Sequence, residues 1–211
     1  MKESANYYTQ TRTDVAAFIP KSIKTILDIG CGQGAFLKLV KDQTGAESWG
    51  IEMITEVAEI AKGQVDNILV GKIEDVLSSI PDNYFDCITF NDVLEHLIEP
   101  TEVLKMIRSK LSQKGIIIAS IPNVRHFRNL YELLIKKDWE YKEGGILDST
   151  HLRFFTQKSM KSMFEKAGYI VIKQEGTNKI RSWQFILFNL ITFYFFADTY
   201  HSQFLNIIQK Q

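Results

Sequence analysis

Three glycines alternate along a short stretch, Gly30, Gly32 and Gly34, directly after the apolar run that ends at Ile29. Without side chains, such a loop lets the backbone approach a ligand closely, and a following helix offers unpaired N–H groups. This spacing therefore predicts a nucleotide-like cofactor bound at the end of a strand. Because Gly30-x-Gly32-x-x-Ala35 also fits the dinucleotide fingerprint, the loop alone leaves a nicotinamide or flavin cofactor open.

A carboxylate at the end of the next predicted strand is the second candidate binding group. Glu52 closes that strand, where it could accept hydrogen bonds from both hydroxyls of a ribose, and Met53 beside it could pack on an adenine face. A solvated strand-end charge and a core methionine are the structural alternative. A dinucleotide enzyme would also place an acidic residue there, so Glu52 does not decide between cofactors.

Two histidines are candidate proton acceptors. His96 follows the polar pair Asn91 and Asp92, and His151 lies downstream. Histidine titrates nearest neutral pH, so either side chain could remove the proton of a hydroxyl, although a helix cap and a loop contact are the alternatives. On a helical turn, Asp92, Glu95 and His96 would present three ligand atoms on one face, but we assign no metal to the predicted site.

Short β-branched runs alternate with amphipathic segments, which predicts a mostly parallel sheet flanked by helices. The predicted strands are Thr25–Ile29, Ser48–Ile51, Asn67–Val70, Phe85–Phe90, Ile116–Ile121, Tyr169–Gln174 and Gln203–Gln209. The predicted helices are Asp14–Ile19, Ala35–Asp42, Ile54–Lys62, Ile73–Ser79, Thr101–Leu111 and Ser159–Ala167, with Thr101 as the cap of its helix.

Composition favours one ordinary globular domain over 1–211. The chain is 45% apolar and 24% charged, and its 25 Lys plus Arg balance 25 Asp plus Glu, so no net field favours bulk nucleic acid. Cys31 and Cys87 form no disulfide framework, and the first residues contain no secretory signal pattern. We therefore expect a cytoplasmic protein.

The apolar segment from Trp183 to Ala197 is the least conventional part of the chain. It is shorter than the about 20 apolar residues that span a membrane, so we predict an apolar helix over 182–199, inserted between strands six and seven. It should cover the active-site mouth or, slightly favoured, form a homodimer contact; peripheral membrane contact is the alternative. Residues 1–22 are predicted to form an N-terminal helical cap.

Several motifs resemble class I S-adenosylmethionine-dependent methyltransferases. Asp28 lies two positions before the first glycine and the third glycine is at 34, and the stretch from Leu27 to Asn123 is similar to that family throughout. The stretch from Phe85 to Leu97 resembles the motif after the fourth strand in members that modify small molecules, sugars and lipids. Ser120–Asn123 and Asp148–Thr156 resemble a bacterial branch associated with glycan pathways.

The resemblance implies a Rossmann-like α/β fold, a seven-stranded mostly parallel sheet whose last strand is antiparallel, with helices on both faces. It also implies S-adenosylmethionine as cofactor and transfer of its methyl group to an oxygen or nitrogen of a small, glycan-like or lipid-linked acceptor. Lys72 replaces the aspartate that the family usually has after strand three, so the Ile73 amide and the side chain of Glu74 or Asp75 are its expected substitutes. The implied cofactor-binding residues are Asp28, Gly30, Cys31, Gly32, Gly34, Glu52, Met53, Ile73, Glu74, Asn91 and Asp92.

Two other classes of protein remain open at this point. One is a nicotinamide-dependent oxidoreductase, which Gly34 and the Asn91–His96 element argue against. The other is a non-catalytic cofactor-binding or membrane-associated module, which Lys72 and the apolar segment would suit.

Overall fold

The computed structural model describes residues 9–179 and 183–211, whose β-strands form one seven-stranded sheet. The strands are β1 (Thr25–Ile29), β2 (Glu47–Glu52), β3 (Asn67–Val70), β4 (Phe85–Asn91), β5 (Leu111–Pro122), β6 (Tyr169–Lys179) and β7 (His201–Lys210). Their order is β3-β2-β1-β4-β5-β7-β6, in which β1 to β5 pair in parallel and β7 is antiparallel to both neighbours. The predicted sheet, including its antiparallel last strand, is confirmed.

Helices cover both faces of this sheet. The α-helices are α1 (Thr13–Ala16), α2 (Ala35–Thr44), α3 (Thr55–Ala61), α4 (Ile73–Val76), α5 (Pro100–Ile107), α6 (Phe127–Tyr131), α7 (Gln157–Lys166) and α8 (Trp183–Ile191). On one face α5 and α7 pack against β4 through Leu104 and Phe164, and on the other α2 packs through Leu37. Because both faces are covered, every residue of β1 is buried, as expected of a central parallel strand.

The predicted starts of two helices are wrong, and capping chemistry explains both. Helix α5 begins at Pro100, not Thr101, because proline lacks the N–H that is unpaired at a first helical position, and it ends at Ile107, before β5. Helix α7 begins at Gln157 because Thr156 and Ser159 form a reciprocal capping box, two residues before the predicted start.

The ends of the chain also differ from the prediction. Helix α1 is shorter than the predicted Asp14–Ile19, and residues 1–8 of the predicted cap lie outside the described residues. The predicted apolar helix stops at Ile191, because Phe193 and Tyr194 adopt left-handed conformations, with φ of 50° and 59°. Residue 182 lies outside the described residues.

A second apolar segment was not predicted at all. After β5 the chain forms α6 and then a π-helical turn over Glu132–Lys136. Within 9–179 and 183–211, no helix is long and apolar enough to span a bilayer.

Candidate active site

The order of strands reverses between β1 and β4, and the carboxyl ends of β1, β2, β4 and β5 meet at one edge. Open α/β sheets bind ligands in the crevice at such a point. Gly30, Glu52 and Asn91 lie at the ends of β1, β2 and β4, so the fold brings together the residues that the sequence predicted separately.

The glycine loop follows β1 in a conformation that only glycine adopts without strain. Gly30, Gly32 and Gly34 have φ of 72°, 55° and 82°. A Cβ on Gly30 would lie 2.7 Å from Cγ2 of Val93, in the segment after β4. The Gly30 and Cys31 amides both donate to the Ile51 carbonyl, at 2.8 and 3.1 Å, and this ties the loop to β2.

The carboxylate of Glu52 accepts hydrogen bonds from the backbone at the crevice. Its Oε2 accepts from the Gly32 amide and its Oε1 from the Ile54 amide, each at 3.0 Å. Glu52 is only 5% exposed. Both of its carboxylate oxygens have a backbone donor before any ligand binds. Cys31 is also buried, and burial raises the pKa of its thiol, so this side chain is a neutral packing group.

The predicted adenine side of the crevice is open. Met53 is 62% exposed next to Glu52, while the side chain of Ile73 is buried and Glu74 is exposed in the first turn of α4. The turn between β3 and α4 is held to the end of β2, because the Gly71 amide donates to the Glu52 carbonyl at 2.9 Å.

Asp28 lies beneath the crevice and orients Asn91. Its Oδ1 accepts from the Thr89 hydroxyl at 2.6 Å and from the Asn91 amide nitrogen at 3.1 Å. Burial raises the pKa of Asp28 to about 7, although both hydrogen bonds favour the charged form. Asn91 is thus turned so that its Oδ1 is buried without a hydrogen-bond partner among the described residues, an acceptor suited to a ligand N–H group.

Arg12 is a site residue that sequence reasoning missed. Its guanidinium forms an ion pair with Asp92 and donates to the Ser120 hydroxyl at 2.8 Å, and Gln203 donates to the other Asp92 oxygen at 2.6 Å. The side chain of Arg12 is only 10% exposed. An arginine just before α1 was visible in the sequence, but no local pattern shows that it reaches a carboxylate 80 residues away.

The two histidines are neighbours in the structure. Their ring centroids lie 4.7 Å apart in an edge-on arrangement. The loop that carries His151 is docked on the turn after β4, because the Leu152 and Arg153 amides both donate to the Glu95 carbonyl, at 2.9 and 3.0 Å.

Backbone carbonyls define which ring nitrogen of each histidine is available. Nδ1 of His96 lies 3.2 Å from both the carbonyl oxygen and the hydroxyl of Thr150, and this hydroxyl donates its own hydrogen to Asp148 at 2.6 Å. Nδ1 of His151 lies 3.0 Å from the Ile146 carbonyl oxygen. Since a carbonyl can only accept, each Nδ1 carries the proton, and each Nε2 is the basic atom in the neutral ring. Burial lowers the pKa of His96, which favours that neutral form.

A buried carboxylate accompanies the histidines. Glu95 is 1% exposed, and neither carboxylate oxygen has a hydrogen-bond partner among the described residues; the nearer contact, Oε1 to Nε2 of His151, is 3.9 Å. Burial and the charge of Asp92 raise the pKa of Glu95 well above its usual value. One ligand atom each from Glu95, His96 and His151 lie within 4.8 Å of one another.

This grouping corrects the predicted ligand face. Asp92 does not belong to that group because it adopts a left-handed conformation, φ 55°, and Leu94–His96 is a short 3₁₀ turn. The predicted i, i+3, i+4 arrangement on one helical face is therefore wrong, and His151 takes the place of Asp92.

Aromatic side chains line the approach to His151. The ring of Phe154 lies 6.4 Å from His151, 5.5 Å from Trp139 and 6.3 Å from Tyr141, measured between centroids. We call Phe154, Trp139 and Tyr141 the aromatic wall; a flat ring of a ligand could stack on one of these side chains.

Fold and site together define a Rossmann-like protein whose crevice suits a nucleoside cofactor beside two neighbouring histidines. A family model described as "Methyltransferase domain" matches residues 1–174, and the chain belongs to this family. The match places it among the class I S-adenosylmethionine-dependent methyltransferases, and this decides against the nicotinamide alternative.

Curated relatives include several ubiquinone biosynthesis O-methyltransferases. The protein of that name from Aeromonas salmonicida is 29% identical over 161 residues, which cover 74% of this chain and 66% of the relative. The one from Haemophilus ducreyi is 33% identical over 109 residues, 47% of this chain and 46% of the relative. This chain therefore spans about two thirds of the first relative and about half of the second.

Solved structures show the same architecture over nearly the whole chain. A SAM-dependent methyltransferase from Archaeoglobus fulgidus has a TM-score of 0.69 at 25% identity, covering 98% of this chain and 94% of that one. The 1,6-didemethyltoxoflavin-N1-methyltransferase of Burkholderia thailandensis, solved with bound 1,6-didemethyltoxoflavin and S-adenosylhomocysteine, has a TM-score of 0.65 at 12% identity, covering 96% of this chain and 79% of that one. At that identity the second likeness concerns the fold alone.

Proposed function

We propose that this enzyme transfers the methyl group of S-adenosylmethionine to a hydroxyl oxygen of a small acceptor that has a flat ring and a lipid-like part. The observation that carries the proposal is the pair of histidines whose Nε2 atoms are left basic beside an aromatic wall. A hydroxyl must lose a proton during methyl transfer, and these atoms can take it. The ubiquinone O-methyltransferases among the relatives support an oxygen acceptor over the nitrogen that the sequence left open.

The cofactor would lie along the carboxyl ends of β1, β2 and β4. Oδ1 of Asn91, which has no hydrogen-bond partner in the described part of the chain, suits the ammonium group of its methionine part. Arg12, now paired with Asp92, suits the carboxylate. Glu52 retains lone pairs for ribose hydroxyls beside its two amide donors, and the exposed Met53 suits the adenine face. When bound, the sulfonium supplies an activated methyl group and its leaving group.

His96 is the proposed proton acceptor. Its ring is half-buried, while that of His151 is almost fully buried, so His96 is the more accessible of the two to an acceptor. The acceptor oxygen forms the new bond to the methyl carbon as the carbon–sulfur bond breaks, and the hydroxyl proton passes to Nε2. His151 and the aromatic wall would position the ring.

A divalent cation is a second candidate at the same place. The buried Glu95 carboxylate, which has no hydrogen-bond partner within 9–179 and 183–211, fits an ion, and carbonyl-bound Nδ1 atoms orient imidazole ligands in many metal sites. Glu95, His96 and His151 would hold the ion, and it would polarise the acceptor oxygen.

The test is methyl transfer from labelled cofactor to a panel of catechols and polyprenylated phenols, with bound S-adenosylhomocysteine measured by calorimetry. We expect His96→Gln to lower kcat by about 10²–10⁴-fold with unchanged S-adenosylhomocysteine affinity. His126→Gln, a half-buried histidine on the loop before α6, is the matched control and should retain activity.

Treatment with EDTA separates the two candidates. Loss of activity that Mg²⁺ or Zn²⁺ restores would favour the ion, and unchanged activity would favour the histidine base. Full activity of His96→Gln in both conditions would contradict the proposal.

A further inference from the structure

The guanidinium of Arg12 donates to three side chains at the crevice. Its Nε and Nη2 donate to the two carboxylate oxygens of Asp14, at 3.1 and 3.2 Å, and Nη2 also donates to the Ser120 hydroxyl at 2.8 Å. Nη1 donates to Oδ2 of Asp92. A guanidinium has five N–H groups, so most of the donors of Arg12 are already directed at oxygens of this chain.

These contacts put Asp92 in competition with a ligand carboxylate. A two-pronged bond from an arginine needs two parallel N–H groups on neighbouring nitrogens. One such pair, Nε with Nη2, is used by Asp14, and the other, Nη1 with Nη2, donates to Asp92 and Ser120. A ligand carboxylate forms the second bond only in place of Asp92, whereas the Ser120 hydroxyl can turn and donate to it.

Asp92 is the acid of the two that can withdraw from Arg12. Asp14 is two residues along the chain in the first turn of α1, so this local pair moves as one unit. Asp92 belongs to another element and keeps a donor when released, because Gln203 donates to its Oδ1 at 2.6 Å. The Asp92 side chain is 21% exposed compared with 10% for Arg12, so water can reach the released carboxylate.

The surroundings of Arg12 disfavour an anionic ligand that does not contact its guanidinium. Asp14 and Asp92 pair with it, and the buried Asp28 is close enough to interact with its charge. Burial raises the pKa of Asp28, and the charge of Arg12 lowers it in part. These acids repel a ligand carboxylate, so its binding depends on direct contact with Arg12.

We propose that Asp92 is an internal competitor for Arg12, which the carboxylate of the cofactor's methionine part displaces on binding. Asp92 then sets the affinity for the cofactor, and Arg12 selects nucleosides that carry an amino-acid carboxylate. The sequence predicted Asp92 as a cofactor-binding residue, whereas in this inference its charge opposes binding. The inference rests on the proposed placement of the cofactor along β1, β2 and β4, and it does not depend on the acceptor or on His96.

The test is calorimetric titration of the full chain with two ligands, S-adenosylhomocysteine and methylthioadenosine. The second has the same nucleoside and a thioether but no amino or carboxylate group. Asp92→Asn should tighten S-adenosylhomocysteine binding by about three- to tenfold, because the ion pair no longer reduces the fraction of Arg12 that is ready to bind. Arg12→Gln should weaken it by about tenfold or more. The affinity for methylthioadenosine should stay within about twofold in both variants.

Two further variants control for other effects of removing a charge. Asp198→Asn removes a carboxylate of similar exposure, 19%, that pairs with Arg125 instead, and it should bind both ligands like the wild type. In the double variant Arg12→Gln/Asp92→Asn, the asparagine should no longer tighten binding, since the competition needs both partners.

Thermal unfolding without ligand shows whether each variant is folded. If Arg12→Gln is unfolded, Arg12→Lys replaces it, because a lysine keeps the charge but cannot form the two-pronged bond. Weaker S-adenosylhomocysteine binding by Asp92→Asn would overturn the inference and make Asp92 a direct cofactor contact. Equal changes for both ligands would also overturn it. Full activity of His96→Gln would contradict the proposed base without altering these affinities, so failures of the two proposals are distinguishable.

Discussion

The cofactor side and the acceptor side of the crevice differ in how their buried carboxylates are satisfied. On the cofactor side, Glu52 accepts two backbone amides and Asp28 accepts a hydroxyl and an amide. On the acceptor side, Glu95 is equally buried and has no hydrogen-bond partner among the described residues. Large apolar side chains such as Phe193 are exposed to solvent rather than packed in the core.

The difference teaches which part of the site is complete before ligands bind. A buried carboxylate with donors stabilises the loop it binds, whereas one without donors costs roughly 1–3 kcal/mol until a proton, an ion or a ligand satisfies it. The hydrogen bonds of the cofactor side are therefore formed before any ligand binds. On the acceptor side, ligand binding would remove the free-energy cost of the unsatisfied Glu95 carboxylate. Substitutions of the two carboxylates should consequently have opposite effects on stability.

The largest expected effect is at Glu95. Glu95→Leu should lower kcat by roughly 10²-fold or more, because His151 and any bound ion lose their carboxylate, while the free energy of unfolding rises by about 1–3 kcal/mol. Steady-state kinetics and urea unfolding measure the two changes. Loss of stability together with loss of activity would show that Glu95 is satisfied in the folded protein, and the comparison above would be wrong.

Asp28 should make stability depend on pH. Burial raises its pKa to about 7 in the folded protein, and in the unfolded chain the ordinary value is about 4. As pH rises from about 4 to about 7, the unfolded chain releases this proton first, so the stability present at low pH is lost, by up to roughly 3–4 kcal/mol. Asp28→Asn should remove that component, which chemical unfolding of both proteins across this range would measure. Parallel curves for the two proteins would show that Asp28 ionises normally.

Glu52 should matter for both binding and folding. Removing its carboxylate in Glu52→Ala leaves the Gly32 and Ile54 amides without their acceptor, so we expect a stability loss of about 1–3 kcal/mol in the ligand-free protein. S-adenosylhomocysteine affinity should weaken by about 1.5–3 kcal/mol. From the sequence alone only the second effect is expected. Thermal unfolding measures the stability loss, and calorimetry measures the loss of affinity. Unchanged stability of the ligand-free protein would show that Glu52 acts in ligand binding alone.

The smallest expected effect on stability is at Phe193, an exposed aromatic residue after α8. Phe193 is 92% exposed, so Phe193→Ser should change the free energy of unfolding by less than about 0.5 kcal/mol. Chemical unfolding measures it. A loss above about 2 kcal/mol would mean that Phe193 packs in the protein core or in an oligomer.

The cofactor side could be predicted because its determinants are local. The strand, the glycine turn from Gly30 to Gly34 and the helix after it follow one another in the chain, and Glu52 marks the end of the next strand. Short β-branched runs between amphipathic segments located all seven strands, since the central strands of a parallel sheet covered on both faces are continuous apolar runs. Their roles in binding remain predictions.

Only the tertiary structure decided which distant residues meet. Arg12 reaches Asp92 through a side-chain ion pair, and the loop that carries His151 is docked by two amides that donate to the Glu95 carbonyl. Such contacts between residues far apart in the chain leave no local sequence pattern. The left-handed turn at Phe193 likewise ended a helix that apolar content alone predicted to continue. Sequence periodicity thus determines the elements, because it reports which face of each is buried, whereas the contacts between loops depend on where the whole sheet places their ends.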